Sequence, residues 1–400
     1  MKKHDTLTDQ ATKTVHGIGI KTVYKEAVRE KVLQLKPHLV VFLSEGAGTT
    51  DYIRLGGPLL LNQALRSQMI TLCLTKLIFD AANDTFNISK RVLDNLPLTI
   101  IVSREKISDD SLAALLKLKE RYPSTALIVD IDDDLFSIST NHPEFDHYQQ
   151  RVKVLRQLIT AADLVTASTE AVLEGMNAAG ASANASIVIP NFLDQRVWGE
   201  SAPSRKGPHD NIRVLFSGTV THDADLRLLT DVIPRAQKRV EQEGRHLEMI
   251  VVGGTTSEIT SMEILSVPER SRMYQPYAAW LQSLDAFDFA IAPLDLENKM
   301  NHAKSALKYL EYSAMHLPAI FTAIQPYQDV VTNNANGILI SDNDPAAWED
   351  AIVEFALNDE KRLRIAQACY TDLMKNHLLE DHYQEWADAI ERASQAARIG

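Results

Sequence analysis

Short apolar runs of strand length alternate with helix-length segments along the chain, and this alternation constrains the fold more than any other feature. The runs in the first half are rich in β-branched residues, and apolar and polar residues do not strictly alternate in them. This pattern is typical of parallel strands whose two faces are both covered by helices. They span residues 38–45, 69–75, 98–103, 126–132, 164–169 and 186–191. Between them, 108–122 has an Asp/Ser-rich start and an apolar stripe at helical spacing. Alternating strands and helices predict a doubly wound parallel sheet.

The same pattern restarts after a break at 199–212, a stretch of Gly, Pro, Ser and charged residues that we interpret as a linker. The predicted strands of the second half are 213–218, 247–253, 288–294, 318–323 and 336–340. The predicted helices are roughly 223–242, 303–316, 344–357, 359–375 and 381–397. The fold class is therefore α/β, with two Rossmann-like domains whose parallel sheets face a central cleft, because such sheets bind ligands at the carboxyl ends of their strands. The predicted domains are 1–195 and 196–378, with a C-terminal helical segment, 379–400.

The composition and the absence of several well-known motifs reduce the number of protein classes to which the chain can belong. With 400 residues and a formal net charge of −12, the chain disfavours a nucleic-acid partner. Two cysteines fit no zinc or disulfide pattern, and no signal peptide or apolar run of ~20 residues is evident, so we expect a cytoplasmic protein. G-x-G-x-x-G opening a helix after the first strand, G-x-x-x-x-G-K-[ST] and G-x-S-x-G are all missing. Dinucleotide oxidoreductases, P-loop NTPases and α/β-hydrolases are therefore disfavoured.

The most informative stretch is 288–322, where a strand and a polar loop precede a helix predicted to begin near Ala303. Lys304, Lys308 and Glu311 fall within an arc of ~60° on that helix, at ~100° per residue. A cation in the first turn opposes the helix dipole, so Lys304 suggests a bound anion, and Glu311 suits a ribose diol. The alternative is that Lys308 and Glu311 form an i, i+3 pair on a solvated face, worth ~0.2–0.5 kcal/mol.

This stretch resembles the donor-site segment of retaining GT-B glycosyltransferases, most of all bacterial members that build surface polysaccharides and glycans. The motifs that carry the resemblance are Ala292-Pro293-Leu294, Asn301, Lys304-Ser305, Lys308-Tyr309-Leu310-Glu311-Tyr312 and Leu317-Pro318. It continues through Pro326-Tyr327, Asn336-Gly337 and Trp348, and so covers most of 213–378. The resemblance implies that Lys304 meets the donor diphosphate and Glu311 the ribose hydroxyls. It also places Asn301, Ser305 and Lys308 in the nucleotide-sugar site.

The same resemblance implies a whole enzyme. The first domain would bind a glycan or lipid-linked acceptor, the second would bind the nucleotide sugar, and the final helix would pack back on the first domain. Transfer would retain the anomeric configuration without an agreed protein nucleophile, and neither a metal ion nor a further cofactor would be needed. The basic run Lys21, Lys25, Arg29, Lys31 and Lys36 suggests contact with anionic lipid at the inner membrane face; a solvated helix face is the alternative.

One departure from the family pattern bears on activity. Many members carry a second glutamate eight positions before the ribose glutamate, and this chain has Ala303 there. Either Asp295 or Glu297 substitutes, or the sugar is held differently, or activity is impaired. A non-catalytic donor-binding subunit therefore stays open, as does a sugar-nucleotide epimerase.

A second motif lies in 215–229, where a strand runs into Ser217-Gly218-Thr219 and a helix with Asp223 or Asp225 as its cap. Gly218 lets backbone approach a ligand, and the helix start favours phosphate. The resemblance implies that this loop, including Gly218 and Thr219, contacts the diphosphate, and His222 would then donate to a phosphate oxygen. The alternative for His222 is a surface side chain beside a cap. Gly253-Gly254 either borders the nucleotide or forms a simple turn.

In the first half of the chain, one predicted strand ends in a run of aspartates, which are Asp130, Asp132, Asp133 and Asp134. Such carboxylates suit a hard cation, but the GT-B resemblance argues against a metal site. We predict that Asp133 contacts the acceptor or the sugar; capping with a buried hydrogen bond is the alternative. The loop 46–58, with Arg54, and Ser103-Arg104 are predicted to border the acceptor.

Overall fold

The computed structural model describes residues 37–44, 48–65, 69–104, 106–140, 144–199, 211–254, 262–284 and 287–399. The predicted lipid-binding run between Lys21 and Lys36 lies outside these residues, as does most of the predicted linker, 200–210.

The first sheet consists of six parallel strands in the spatial order β2–β1–β5–β6–β7–β8. Its strands are β1 (His38–Leu43), β2 (Met69–Leu74), β5 (Leu98–Ser103), β6 (Ala126–Ile131), β7 (Leu164–Ala167) and β8 (Ser186–Val188). A small antiparallel hairpin of β3 (Phe79–Asp80) and β4 (Thr85–Phe86) follows β2. Strands β5, β6 and β7 are buried along their whole length, which is why their sequences read as continuous apolar runs.

The second sheet is also parallel and six-stranded, in the order β11–β10–β9–β12–β13–β14. Its strands are β9 (Asn211–Gly218), β10 (His246–Gly253), β11 (Met262–Leu265), β12 (Phe289–Ala292), β13 (Ala319–Thr322) and β14 (Ile338–Ile340). The strand order reverses between β9 and β12, and ligands of such sheets bind outside the strand ends at this switch point. The predicted fold class, two Rossmann-like parallel sheets, is confirmed.

Helices cover both sheets. Those of the first half are α1 (Thr49–Asp51), which continues through a π-helical segment (Tyr52–Gly56) into α2 (Gly57–Leu65), then α3 (Lys90–Asn95), α4 (Asp109–Arg121), α5 (Phe145–Ala161), α6 (Glu170–Ala178) and α7 (Gln195–Trp198). Those of the second half are α8 (Asp223–Arg227), α9 (Val232–Gln242), α10 (Tyr274–Gln282), α11 (Lys299–His302), α12 (Leu307–Ala314), α13 (Gln325–Gln328), α14 (Pro345–Leu357), α15 (Asp359–Asn376), α16 (Leu379–His382) and α17 (Gln384–Ile399). No helix among the described residues is both long enough and apolar enough to cross a membrane.

Two predicted helices were wrong as single elements. The stretch 223–242 is interrupted between Arg227 and Val232, so that Pro234 lies in the first turn of α9. In a continuous helix the ring of Pro234 would clash with the carbonyl four residues earlier. The stretch 303–316 also is not one helix, because α11 ends at His302 and α12 begins only at Leu307. Lys304 therefore lies between two helices and not in a first helical turn.

The final helix returns to the first sheet. Helix α17 packs against β5, β6, β7 and α2. Its Trp386 is buried in an apolar cluster with Leu55, Leu59 and Ile128 of the first domain. The apolar face of this last helix thus completes the core of the domain in which the chain begins.

Candidate functional site

The carboxyl ends of β9 and β12 carry the densest group of predicted site residues. Ser217, near the end of β9, is buried, and its backbone N–H and its hydroxyl both lie 3.2 Å from Tyr312 Oη. Lys308 Nζ donates to Ser217 Oγ at 2.9 Å. Helix α12 therefore packs its polar side chains onto the switch point of the second sheet.

Lys308 and Glu311 form an ion pair at 3.3 Å, and the Glu311 side chain is only 2% exposed. The pair is thus buried at the strand ends and does not lie on a solvated helix face. Burial by itself lowers the pKa of Lys308, but the Glu311 carboxylate together with Tyr277 and Tyr312 more than offsets it, so the pKa is raised. Glu311 binds Lys308 through Oε2, and Oε1 has no hydrogen-bond partner among the described residues.

Asp225, which the sequence suggested only as a helix cap, joins three segments. It is buried, and its Oδ2 lies 2.9 Å from His222 Nδ1. Its Oδ1 accepts from the side chain of Asn301 and from the backbone N–H of Asp295, both at 2.8 Å. The cap prediction was wrong: His222 occupies the N-cap of α8, and none of the described side chains caps this helix. Asp223, the other candidate, instead pairs with Arg227.

Burial and, next, the neighbouring Lys304 lower the pKa of His222, and the contact with Asp225 opposes them without reversing the direction. A neutral ring that donates from Nδ1 to Asp225 has an acceptor at Nε2. In that tautomer, donation from His222 Nε2 to a phosphate oxygen requires the protonated ring, and a bound diphosphate would favour that form through its charge.

Lys304 lies beside His222, with Nζ 3.3 Å from Nδ1. No carboxylate oxygen lies within 4 Å of this ammonium in the part of the chain that the structure describes. Burial lowers the pKa of Lys304, and the charges of Asp225 and Asp133 oppose that effect. Asp133 belongs to the first domain, so the lysine faces both sides of the cleft. Lys304 is therefore a half-buried cation that forms no neutralising ion pair with any of the described residues.

Two glycines allow the strand ends to approach each other. Gly253 ends β10 with a φ of 116°, and an added Cβ would lie 1.9 Å from the carbonyl oxygen of Gly218. A Cβ on Gly218 would lie 3.2 Å from the His222 side chain. Thr219, next in the chain, is exposed, and its hydroxyl lies 2.7 Å from that of Thr221. The loop thus reaches the protein surface at Thr219, directly beside these strand ends.

The aspartates at the end of β6 have separate partners. Asp130 is fully buried in an ion pair with Arg54 and also accepts from Thr166. Asp133 pairs with Arg104 at 2.8 Å, and Asp134 accepts from the Phe136 N–H. Within the described ranges, no group of three or more His, Cys, Asp or Glu is arranged to hold a metal ion.

Asp132 differs from its neighbours, since none of the described cations lies within 4 Å of its carboxylate. Its Oδ1 accepts from Asn191 Nδ2 at 3.1 Å. Burial and the adjacent Asp133 raise the pKa of Asp132 to about 6. Arg54 and Arg104 act against that shift, and Asp130 adds to it.

Asn191 is a site residue that sequence reasoning did not identify. It follows β8 and is buried, and its amide contacts Arg54, Asp132 and Ser305. Its place just beyond a strand's carboxyl end, in Ile189-Pro190-Asn191, was the available signal. The structure thereby brings Lys304, Ser305, Lys308, Glu311, His222, Asn301 and Gly218 to one edge, with Asp133 opposite.

Comparison with known proteins bears on the family and the fold of the chain. Residues 211–358 match the family model described as glycosyl transferases group 1. D-inositol 3-phosphate glycosyltransferase of Xylanimonas cellulosilytica is 27% identical over an alignment of 243 residues, and the match covers 54% of this chain and 54% of that one. The chain thus spans about half the length of this curated relative.

Solved structures of low sequence identity share the fold. Sucrose-phosphate synthase from Thermosynechococcus elongatus superposes with a TM-score of 0.64 at 12% identity, covering 90% of this chain and 100% of that one. HepE from Anabaena, solved with UDP-glucose, gives a TM-score of 0.60 at 14% identity, covering 88% and 99%. At these identities the likeness establishes the two-domain GT-B fold.

Proposed function

Because residues 211–358 form a glycosyl transferases group 1 domain within a GT-B fold, we propose that the protein transfers a sugar from a nucleotide-diphosphate sugar to a glycan or lipid-linked acceptor. The second domain would bind the donor and the first the acceptor. HepE was solved with UDP-glucose, and the curated relative is named D-inositol 3-phosphate glycosyltransferase.

The observation that carries this proposal is Lys304 at the switch point of the second sheet, which lies beside His222 and has no ion pair in the described part of the chain. A half-buried cation is costly without a counter-charge, and a diphosphate supplies one. Backbone exposed at Gly218 and Thr219 and the adjacent His222 would add hydrogen bonds. Ser305, Asn301 and Lys308 complete the donor site, Asn301 by fixing Asp225 and thereby His222.

Glu311 suits the ribose because its Oε2 is held by Lys308 and its Oε1 has no hydrogen-bond partner among the described residues. A carboxylate oxygen held in this way accepts from a diol without losing its ion pair. On the opposite side of the cleft, Asp133 would contact the acceptor or the transferred sugar, since its charge already reaches Lys304.

The chemistry would be mainly electrostatic. The bond between the anomeric carbon and the diphosphate oxygen breaks while the acceptor hydroxyl bonds to that carbon, and Lys304 stabilises the charge that develops on the leaving diphosphate. The acceptor's proton passes to the leaving phosphate. From the family resemblance we propose that the anomeric configuration of the sugar is retained. We also propose that no metal ion is needed, so that transfer continues in the presence of EDTA. The site of action would be cytoplasmic, at the inner face of the membrane.

A second candidate, a donor-binding subunit without turnover, is favoured by Ala303. This residue is 2% exposed and packs with the apolar core of the first domain, where many family members have a glutamate near the sugar. Asp295 and Glu297, the suggested replacements, lie in the loop before α11, where the Asp295 carboxylate accepts from the Glu297 N–H. Donor binding without hydrolysis or transfer would identify this candidate.

The first test is a thermal-shift screen against UDP, GDP, dTDP, CDP and ADP. A ligand at 100 times its Kd stabilises by ~2.7 kcal/mol. We expect one diphosphate to raise the melting temperature of the wild type, and Lys304→Ala and Glu311→Ala to lose that increase. Lys299→Ala, at an exposed position on α11, is the matched control and should keep it. If no diphosphate stabilises the wild type, the proposed donor site is wrong.

A further inference from the structure

Two side chains of the first domain bind the residues on either side of Lys304. Thr169 Oγ1 donates to the carbonyl oxygen of Ala303 at 3.0 Å. Asn191 Nδ2 donates to Ser305 Oγ at 2.8 Å. The proposed diphosphate lysine therefore belongs to the second domain by sequence, but the first domain holds its backbone neighbourhood.

Both contacts are themselves fixed. Thr169 caps α6, with Oγ1 accepting from the Val172 N–H at 3.3 Å. Asn191 Oδ1 accepts from Arg54 Nη1 at 2.9 Å, and the Arg54 guanidinium is held by both carboxylate oxygens of Asp130. A side chain whose rotamer is set by such bonds positions its partner precisely enough to matter for binding.

The segment held in this way is the break between α11 and α12. Ala303 is buried among apolar side chains of the first domain, and Met300 packs against the same cluster. Residues 303–306 are not helical, so their conformation depends on contacts outside the segment. Lys304 then extends from the break toward His222, within reach of the charge of Asp133.

We propose that Thr169 and Asn191 are positioning residues that fix Lys304 for the donor diphosphate, so that the donor site is complete only with the two domains together. This inference rests on the proposed function. It also accounts for Ala303, because a small apolar residue fits against the first domain where a glutamate would bring a charge into an apolar cluster.

The test is a double-mutant cycle read by calorimetric titration with whichever of the five nucleoside diphosphates stabilises the wild type. Asn191→Ala is expected to weaken diphosphate binding roughly tenfold, and Lys304→Ala to weaken it at least as much. In the Lys304→Ala background, Asn191→Ala should have almost no further effect, since a residue that acts through the lysine has nothing left to position. A merely structural role would weaken binding by the same factor in both backgrounds.

Thr169 supplies a second pair of variants in case Asn191→Ala does not fold. Thr169→Ser keeps the hydroxyl and should retain wild-type affinity, whereas the near-isosteric Thr169→Val should weaken it several-fold. Full affinity in Thr169→Val and Asn191→Ala, with Lys304→Ala impaired, would overturn this inference and leave the proposed function standing. Absence of any diphosphate binding to the wild type would overturn both.

Discussion

Gly253 shows how closely two strand ends approach at the candidate site. Its φ of 116° is strained for any L side chain, and a Cβ would lie 1.9 Å from the Gly218 carbonyl oxygen. We expect Gly253→Ala to lower the free energy of unfolding by at least ~3 kcal/mol. Gly180→Ala is the matched control in chemical denaturation, since Gly180 also has a positive φ, 72°, but open space around it. Equal losses in the two variants would mean that the collision with Gly218 has no effect.

Asp132 makes stability depend on pH in a direction unusual for a carboxylate. Its folded pKa of about 6 lies above the ordinary value of 3.8, so the folded state binds the proton more tightly and loses stability as pH rises from about 4 to about 6. The difference between these two pKa values corresponds to an upper limit of ~3 kcal/mol. We therefore expect Asp132→Asn to be more stable than the wild type at pH 8, with the advantage vanishing near pH 4.

Denaturant midpoints measured between pH 4 and pH 8 test this expectation for Asp132. The charged groups that act on this carboxylate are Asp130, Asp133, Arg54 and Arg104, and the Asp132→Asn variant keeps all four. The side-chain amide of the variant still offers an oxygen to Asn191. An advantage of Asp132→Asn that does not vary with pH would contradict the raised pKa.

At the residue scale, the sequence predicted groups that share a helical face but missed groups that meet through tertiary contacts. Lys308 and Glu311 are three residues apart, and helical periodicity alone brings them together. Asn191 and Ser305, or Thr169 and Ala303, are more than a hundred residues apart and meet through single hydrogen bonds. Such contacts leave no periodic trace, and this is why Asn191 and Thr169 were not predicted.

At the scale of elements, the two broken helices have different causes. The interruption before α9 was predictable, because Pro234 excludes a continuous helix from 223 to 242. The interruption between α11 and α12 was not, since 303–316 has good helical periodicity and no proline before Pro318. There, hydrogen bonds from the first domain to Ala303 and Ser305 keep the segment out of the helical conformation that its local propensity favours.

Restoring the family's glutamate at the break should therefore harm this protein. Ala303→Glu would place a carboxylate in the apolar cluster of the first domain, so we expect it to lower the free energy of unfolding by ~2–4 kcal/mol and not to raise transferase activity. Lys299→Glu, on exposed α11, is the control for added negative charge and should change stability by less than ~0.5 kcal/mol. A stable and more active Ala303→Glu would show that the cluster opens to admit the donor sugar.

At the scale of the whole molecule, the apolar pattern was enough to predict two parallel sheets, because strands buried on both faces leave long apolar runs. The relation between the domains was not predictable from that pattern. The chain crosses between them twice, and the two crossings pair with each other: the Leu193 N–H donates to His377 O, and the Leu379 N–H donates to Leu193 O, both at 2.9 Å. Phe192 also stacks on His382 at 4.0 Å.

Since the second crossing leads to α17, that helix should set the stability of the first domain although it follows the second in sequence. Trp386 is 2% exposed and lies 5.6 Å from the Arg54 guanidinium, the group that anchors Asp130 and Asn191. We expect Trp386→Ala to lower the free energy of unfolding by ~3–5 kcal/mol in guanidinium denaturation. Leu363→Ala, which removes an apolar side chain that is 61% exposed on α15, should change it by less than ~0.5 kcal/mol. Equal effects of Trp386→Ala and Leu363→Ala would mean that α17 contributes no more than surface contacts.

A much larger loss of stability for Trp386→Ala, with diphosphate binding weakened as well, would have a further meaning. It would show that the donor site depends on the integrity of the first domain through Arg54 and Asn191.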